Sequence, residues 1–174
     1  MEIRKAESGD LGRIMEIYRA AQDFMIRSGN PGQWGRYYPT EDDVEDDIDK
    51  GFCRVIFDDS GIHAVFALCE GADPYYAKID GAWLNDEGYA AIHRIASDGT
   101  FRGVVAAAVA HCMERYSNVR ADTHEKNLPM QRALGRCGFV RCGTVYVRDG
   151  SPRIAYQLTV GGREPSEERT DQNG

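Results

Sequence analysis

The stretch from Tyr89 to Phe139 constrains the fold more than any other part of the chain. A strand predicted over 89–97 leads into a turn that closes on Arg102 and Gly103, and an Ala/Val-rich helix follows at once. Arg102 supplies a cation, Gly103 lets the backbone approach a ligand, and residues 103–107 begin a helix whose first N–H groups lack intrahelical partners. Because such a helix start attracts anions, the sequence predicts a phosphate or diphosphate site here.

Two helices in this stretch have the features of packed elements. The first has one apolar stripe, which indicates packing against a core rather than a disordered glycine loop. The stripe consists of Val104, Val105, Val109, Cys112, Met113 and Tyr116. The second helix is predicted to begin after Asn127, a suitable N-cap, and to end at Gly138. Pro129 falls in its first turn, where a missing N–H is tolerated.

The remaining elements are predicted from apolar periodicity and turn residues. The pattern predicts strands at 3–6, 53–57, 62–69, 139–147 and 153–158, a helix at 10–27, and an acidic helix at 41–49 capped by Thr40. The order βααβββαβαββ predicts an α+β fold, with an α/β-type single mixed sheet and helices on both faces. We expect one domain over residues 1–160, and we expect the polar segment 161–174 to be a mobile tail.

The composition argues against several classes of protein. Five cysteines, an odd number without CxxC spacing, favour reduced core thiols over disulfides or a metal site, and hence a cytoplasmic protein. The sequence has no N-terminal signal and no apolar run near the ~18 residues of a membrane helix. A net charge of −7 argues against nucleic acid and is compatible with a cationic amine partner. A run of acidic residues such as that of helix 41–49 is, however, more often a solvent-exposed face than a binding surface.

The two strand–helix units resemble the GNAT superfamily of acyl-CoA-dependent N-acyltransferases. The resemblance lies in RIASDGTFRGVVAAA, the following strand and NLPMQRALGRCGF, and it covers the chain from Glu2 to about Leu158. It implies an N-acetyltransferase that moves an acetyl group from acetyl-CoA to a primary amine of a small molecule or peptide, by direct attack in a ternary complex. Two alternatives stay open, a non-catalytic acyl-CoA-binding or regulatory module and an enzyme with a different acyl donor.

The resemblance also implies which residues contact acetyl-CoA. The pantetheine arm would pair with the backbone of Ile95, Ala96 and Ser97, where the first strand splays from the next. The pyrophosphate motif covers Arg102, Gly103, Val104, Val105, Ala106 and Ala107. Val105 stands where relatives usually carry glycine, and its methyl groups are expected either to crowd the phosphates or to tighten the loop. Asn127 would contact the pantetheine amide, or serve only as a helix cap. No metal is expected.

His93 is the favoured general base, because some members of the family carry a histidine at the matching strand position. It lies two residues before Ile95, so the two side chains are expected on the same side of the sheet. The alternative is a hydrogen-bonded core histidine. His124 and Glu125, at the end of the neighbouring strand, are the other candidate bases.

The proton donor for the leaving thiolate is less defined. Many relatives carry a tyrosine where this chain has Leu134, and leucine cannot donate a proton. Either Tyr146 or Cys142 acts instead, or the thiolate leaves without a protein acid, which its low pKa permits.

An aromatic loop between the first two helices is the candidate acceptor wall. Gln33, Trp34 and Tyr37, with Trp83 from a later loop, would surround an amine by cation–π contact, although packing beneath a loop is the alternative. Exposed edge strands and the C-terminal hairpin would also allow two copies to pair, so a homodimer is a further expectation.

Overall fold

The computed structural model describes residues 1–160. Its strands are β1 (Glu2–Lys5), β2 (Cys53–Asp58), β3 (Gly61–Glu70), β4 (Asp80–Gly81), β5 (Ala90–Ser97), β6 (Asn118–Thr123), β7 (Val140–Tyr146) and β8 (Pro152–Thr159). The α-helices are α1 (Leu11–Arg27), α2 (Glu41–Asp49), α3 (Val104–Met113) and α4 (Leu128–Arg136). The predicted order is confirmed apart from the two-residue strand β4, and the expected tail at 161–174 lies outside the described residues.

All strands belong to one sheet with the order β1-β2-β3-β5-β6-β8-β7-β4. Neighbouring strands are antiparallel except β5 and β6, which run parallel. The parallel pair is connected through α3, as a crossover connection requires. The predicted single mixed sheet is therefore confirmed.

Helices cover both faces of this sheet because the strand side chains alternate. Ile56 and Phe66 face the cluster that α3 and α4 complete, whereas Val55 and Val65 face the cluster that includes α1. All four side chains are fully buried. Burying each of them stabilises the fold by about 1.5–3 kcal/mol, so the clusters on both faces contribute to the stability of the fold.

Local capping explains where three of the helices begin. The Thr40 hydroxyl accepts from the Asp43 N–H and the Asp43 carboxylate accepts from the Thr40 N–H, which forms a capping box at α2. Asn127 Oδ1 accepts from the Met130 N–H at 3.2 Å and caps α4. Gly103, with φ of 80°, precedes α3 in a left-handed conformation that suits glycine. Among residues 1–160, no helix combines the length and the apolar composition needed to cross a membrane.

Candidate active site

A gap opens in the middle of the sheet between β5 and β6. The two strands pair over three residues only, from Ala90 with Val119 to Ile92 with Ala121. Beyond these pairs, β5 continues to Ser97 and β6 to Thr123 without pairing to each other. The strands splay as the resemblance implied, and the facing edge of β5 keeps main-chain groups that are not used by β6.

A β-bulge in β5 lies beside this gap. On the β3 side, Val65 pairs with Ala96 and Ala67 pairs with His93, so two residues of β5 stand opposite Phe66. One of the two is Arg94, whose φ of 54° is positive. A bulge of this kind adds a residue to one strand and interrupts its alternation.

The bulge separates two residues that were expected to share a side of the sheet. Ile95 packs against the cluster formed with α3 and α4. His93 faces the opposite side, where its ring centroid lies 5.6 Å from that of Tyr76. The prediction that His93 and Ile95 share a side is therefore wrong, because the extra residue at Arg94 inverts the alternation.

A buried ion pair holds the bulge. Arg94 Nε donates to Asp47 Oδ2 at 2.9 Å, and Arg94 Nη2 donates to Asp47 Oδ1 at 2.7 Å. Arg94 Nη1 donates to the Tyr38 hydroxyl at 2.9 Å, and the Tyr18 hydroxyl donates to the Arg94 carbonyl at 3.1 Å. Burial raises the pKa of Asp47, and the guanidinium offsets part of this effect. At least one carboxylate of the acidic helix is thus a structural anchor rather than part of a solvated face.

A cavity of about 870 Å³ passes through the gap from one face of the sheet to the other. Its apolar half lies on the α4 side and is lined by Ile92, Ile95, Ala121, Met130 and Leu134. Its acidic half lies on the side of the α1–α2 loop and contains Asp73, Tyr76, His93 and Asp122. A ligand that spans the gap would therefore contact an apolar surface on the α4 side and carboxylates on the other side.

His93 stands between the two carboxylates of the acidic half. Its Nε2 lies 2.9 Å from Asp73 Oδ2, and its Nδ1 lies 3.7 Å from Asp122 Oδ1. The first distance is that of a hydrogen bond, but the ring nitrogen is not aligned with the carboxylate and has no partner by geometry. The Tyr76 hydroxyl donates to Asp122 Oδ1 at 2.7 Å. The imidazole thus has acidic neighbours at both nitrogens while neither nitrogen makes an aligned hydrogen bond to them.

Asp73 is fixed by its own loop. Its N–H donates to the Tyr89 hydroxyl at 2.9 Å, and its Oδ1 accepts from the Tyr75 N–H at 2.8 Å. Burial raises the pKa of the Asp73 carboxyl, but His93 and the Tyr75 N–H outweigh it, so the pKa lies below its usual value. Asp73 is therefore a carboxylate at neutral pH, with Oδ2 directed towards His93.

Three predicted catalytic residues lie outside the cavity lining. His124 Nδ1 accepts from the Lys126 N–H at 3.1 Å, while burial and Arg153 lower the pKa of His124. Glu125 is exposed. Tyr146 is 44% exposed, and its hydroxyl donates to Asp80 Oδ2 at 2.7 Å. These contacts belong to loops and to a sheet edge, and none of the three side chains lines the cavity.

The predicted acceptor wall divides into two groups. Gln33 and Trp34 line the cavity, and Gln33 Oε1 accepts from Asn127 Nδ2 at 2.9 Å. Tyr37 is 83% exposed and does not line the cavity. Trp83 is a packing residue, because its Nε1 donates to the Tyr76 carbonyl and the Arg120 guanidinium lies 4.1 Å from its ring. Asn127 both caps α4 and borders the cavity.

The predicted phosphate turn lies at the carboxyl end of β5, outside the cavity lining. Arg102 is exposed, and the Ala107 N–H donates to the Gly103 carbonyl at 2.9 Å, which leaves the N–H groups of residues 104–106 outside the helical ladder. Val105 is half-buried and packs against the α3 and α4 cluster. The side chain is therefore used in part for packing, and the expectation that its methyl groups crowd the phosphates stays a prediction.

Side chains from two other elements fix this turn. Arg13 of α1 donates to Asp98 Oδ2 at 2.7 Å, and the Asp98 carboxylate accepts from the Thr100 N–H at 2.9 Å. His63 lies beside the same groups, with Nδ1 3.0 Å from the Thr100 hydroxyl. The start of α3 is thus anchored to both α1 and β3.

Comparison with solved structures decides the family. An acetyltransferase of the GNAT family from Streptococcus agalactiae is 31% identical to this chain, with a TM-score of 0.82, over 92% of this chain and 95% of the other. This chain belongs to the GNAT family of acetyltransferases. The fold and the family that the sequence implied are confirmed, and the protein is an acyltransferase. No protein-family model and no curated protein matches the chain.

Solved structures of acetyltransferases with lower sequence identity share the fold. The yncA protein from Salmonella typhimurium, solved with acetyl-CoA, is 15% identical with a TM-score of 0.59, over 96% of this chain and 98% of the other. The aminoglycoside acetyltransferase AAC(6')-Ib, solved with coenzyme A and kanamycin, is 20% identical with a TM-score of 0.61, over 91% and 94%.

Several cavity residues of this GNAT acetyltransferase were not predicted. Asp73 and Tyr76 belong to an irregular loop between β3 and β5, where periodicity carries no information. In the sequence, the length of that loop and its aromatic content are the features that could have indicated a functional segment. Asp122 and Thr123 end β6 at the gap, and two polar residues at the end of an otherwise buried strand were the corresponding signal there.

Proposed function

We propose that this GNAT acetyltransferase moves an acetyl group from acetyl-CoA to the primary amine of a cationic small molecule or peptide. The observation that carries the proposal is the cavity of about 870 Å³, whose apolar half and acidic half meet at the β5–β6 gap. An acyl thioester on one side and an amine on the other would meet at the gap. Holding both reactants in this way supports direct attack, with no covalent enzyme intermediate.

The residues around the gap fit acetyl-CoA, which supplies the activated acetyl group. The free edge of β5 at 95–97 offers main-chain donors and acceptors that match the amides of an extended pantetheine arm. Arg102 and the N–H groups of 104–106 offer charge and directed donors for a diphosphate. A Cβ at Gly103 would meet no atom within 4 Å, so the space in front of the helix start is open. Asn127, at the cavity border, is the candidate contact for a pantetheine amide.

The charges of the lining favour a cationic acceptor. Residues that line the cavity include six carboxylates and three cationic side chains. Two of the carboxylates, Asp47 and Asp46, already pair with Arg94 and Lys50. The remaining excess of negative charge attracts a protonated amine and disfavours an acceptor with its own carboxylate.

A protonated amine must lose a proton before it attacks, and His93 is the proposed base. It lies in the acidic half and its nitrogens make no aligned hydrogen bond to the protein. Asp73 supports this role, since its carboxylate lies 2.9 Å from His93 Nε2 and would stabilise the imidazolium that forms. Gln33 and Trp34 are the proposed acceptor contacts. His124, Glu125 and Tyr146 are not kept as catalytic candidates, because they lie outside the cavity.

A panel of amines tests the proposed reaction. Release of CoA thiol from acetyl-CoA would be followed with monoamines, di- and polyamines, amino acids and peptides. We expect the highest kcat/KM for amines that carry a second positive charge and the lowest for amines with an adjacent carboxylate. The opposite ranking would contradict the proposed charge selection, and acetyl-CoA binding without turnover on any amine would contradict acetyl transfer to an amine.

Calorimetry tests the proposed diphosphate site. Arg102→Glu should weaken CoA binding by about tenfold or more, because it replaces an attractive charge with a repulsive one. Arg141→Glu is the matched control, since Arg141 is exposed on β7, away from the start of α3. Equal affinities for the two variants would rule out the 102–107 turn as the diphosphate site.

A further inference from the structure

The hydroxyl of Thr123 is the starting observation. Thr123 is the last residue of β6 and is completely buried, yet its Oγ1 has no hydrogen-bond partner. A buried hydroxyl without a partner lowers the stability of a folded protein, so such groups are uncommon and need an explanation. Thr123 also borders the cavity, where a bound molecule would supply the missing partner.

The strand register determines which half of the cavity Thr123 faces. Thr123 lies two residues after Ala121 and directly opposite Ile154, and both of those side chains belong to the cluster on the α3 and α4 side. Strand alternation therefore puts the Thr123 side chain on the α4 side, in the apolar half. Pairing with β5 has already ended at Ala121, so Thr123 stands at the open part of the gap.

Two nearby donors on the cavity wall already have acceptors. The Tyr76 hydroxyl donates to Asp122, and Asn127 Nδ2 donates to Gln33. The side chain of Leu134, which lines the apolar half, has no polar atom. The Thr123 hydroxyl thus stands beside the apolar residues of this half of the cavity, and it has a proton to donate.

We propose that the Thr123 hydroxyl is the hydrogen-bond donor to the sulfur of the departing thiol in the acetyl transfer. The inference rests on the proposed function. The ammonium proton of the amine first passes through His93 to solvent. The neutral nitrogen then forms a bond to the acetyl carbon, the carbon–sulfur bond breaks with its electron pair on sulfur, and the second proton that the nitrogen loses goes to His93. Thr123 keeps its own proton and stabilises the negative charge that develops on sulfur. A donor in apolar surroundings is effective for this task, because no water competes for the hydrogen bond.

Three variants test the role in kinetics. Thr123→Val keeps the shape of the side chain and removes the donor, Thr123→Ser keeps the donor, and Thr144→Val is the matched control. Thr144 lies on β7 opposite the same Ile154, but it does not border the cavity. Thr123→Val should lower kcat by about 10- to 100-fold, the usual worth of a hydrogen bond to a charged group. Thr123→Ser should recover most of the rate, and Thr144→Val should leave it unchanged.

Two measurements besides activity accompany the kinetics. Calorimetry should give the same CoA affinity for wild type and Thr123→Val within about threefold, because the hydroxyl acts on the sulfur and not on the rest of the molecule. The melting temperature of ligand-free Thr123→Val should equal or exceed that of wild type, since an unsatisfied buried group has been removed.

The thiolate absorbance of bound CoA gives a spectroscopic readout. Thr123→Val should raise the pH at which the bound thiol ionises. The cysteines of the protein do not obscure this signal below about pH 9, because burial raises the pKa of Cys53 and of Cys112 to about 12 and that of Cys69 to about 11. The pKa values of the other two thiols are also raised by burial.

Each outcome has a distinct meaning. An unchanged kcat in Thr123→Val, with wild type active, would overturn the role of Thr123 and leave the proposed function intact. A large loss of CoA affinity with unchanged kcat would show that the hydroxyl binds the pantetheine arm, which also overturns the proposal. A wild-type enzyme that acetylates no amine would overturn the proposed function, and the role of Thr123 with it.

Discussion

Two adjacent aspartates on α2 should differ sharply in what they contribute to stability. Asp47 is 8% exposed in its side chain and makes a two-point ion pair with Arg94, whereas Asp46 is 58% exposed and pairs with Lys50. The substitutions Asp47→Asn and Asp46→Asn make the same chemical change one residue apart on one helix. Any difference between them therefore comes from the environment of the carboxylate.

The magnitude follows from burial. Removing one partner of a buried ion pair costs about 3–5 kcal/mol, because the other charge stays buried and unpaired. Arg94 is 17% exposed and keeps its hydrogen bond to the Tyr38 hydroxyl. The loss in free energy of unfolding for Asp47→Asn should therefore lie near the lower end of this range, at about 3 kcal/mol. For a chain of this length, that corresponds to a fall in melting temperature of about 6–12 °C. Asp46→Asn should cost at most about 0.5 kcal/mol.

Thermal and urea unfolding followed by circular dichroism would measure both variants. High salt is a second check, since it should weaken the exposed Asp46 pair and leave the buried Asp47 pair nearly unchanged. Asp47→Asn should also lower turnover, because Arg94 holds the bulge that directs His93 into the acidic half. Similar losses of stability in the two variants would refute the argument that the bulge depends on its buried ion pair.

Four further predictions concern the site and its surroundings. His93→Ala should lower turnover by about 10²-fold or more and change the pH–rate profile, with CoA affinity by calorimetry unchanged, and a variant with wild-type turnover would make His93 a core residue. Asp122→Asn should lower kcat/KM for a cationic amine, whereas the control Asp80→Asn, which also loses a tyrosine-bound carboxylate but lies outside the cavity, should not. Val105→Gly should cost about 1–2 kcal/mol in urea unfolding, because the side chain packs in part against the core. Hydrogen bonds from Ser60 and from His63 lower the pKa of Asp58 from 3.8 to about 2, so its contribution to stability is present above pH 4 and lost as the pH falls towards 2; Asp58→Asn should flatten the dependence of melting temperature on pH in that range.

The elements of the fold were predictable because their signals are local. Thr40 and Asn127 cap helices through contacts three residues away, and Gly103 takes a backbone conformation that glycine favours. Such interactions depend on a few consecutive residues, so the sequence alone is enough to predict them. The single mixed sheet and its two covered faces then followed from the family resemblance and from the alternation of helices and strands.

The arrangement of the site was less predictable because its contacts are distant in sequence. The bulge depends on an ion pair between α2 and β5, and no periodicity in β5 reveals the extra residue. Because the extra residue at Arg94 reverses the alternation of side chains in β5, His93 and Ile95 lie on opposite sides of the sheet. Asp73 lies in an irregular loop, and it meets His93 only because the Tyr89 hydroxyl and the Tyr75 N–H hold that loop in place.

The short pairing between β5 and β6 makes the sheet two four-stranded blocks with a seam between them. Three residue pairs join the blocks, and the rest of the seam has no ladder of its own. A molecule that lies along the free edge of β5 would complete the sheet between the two blocks. Its binding should therefore raise the free energy of unfolding, by about 2.7 kcal/mol at a ligand concentration of 100 Kd. In hydrogen-exchange measurements, the backbone amides whose exchange slows most on binding should be those of the seam, at residues 93–97 and 122–123.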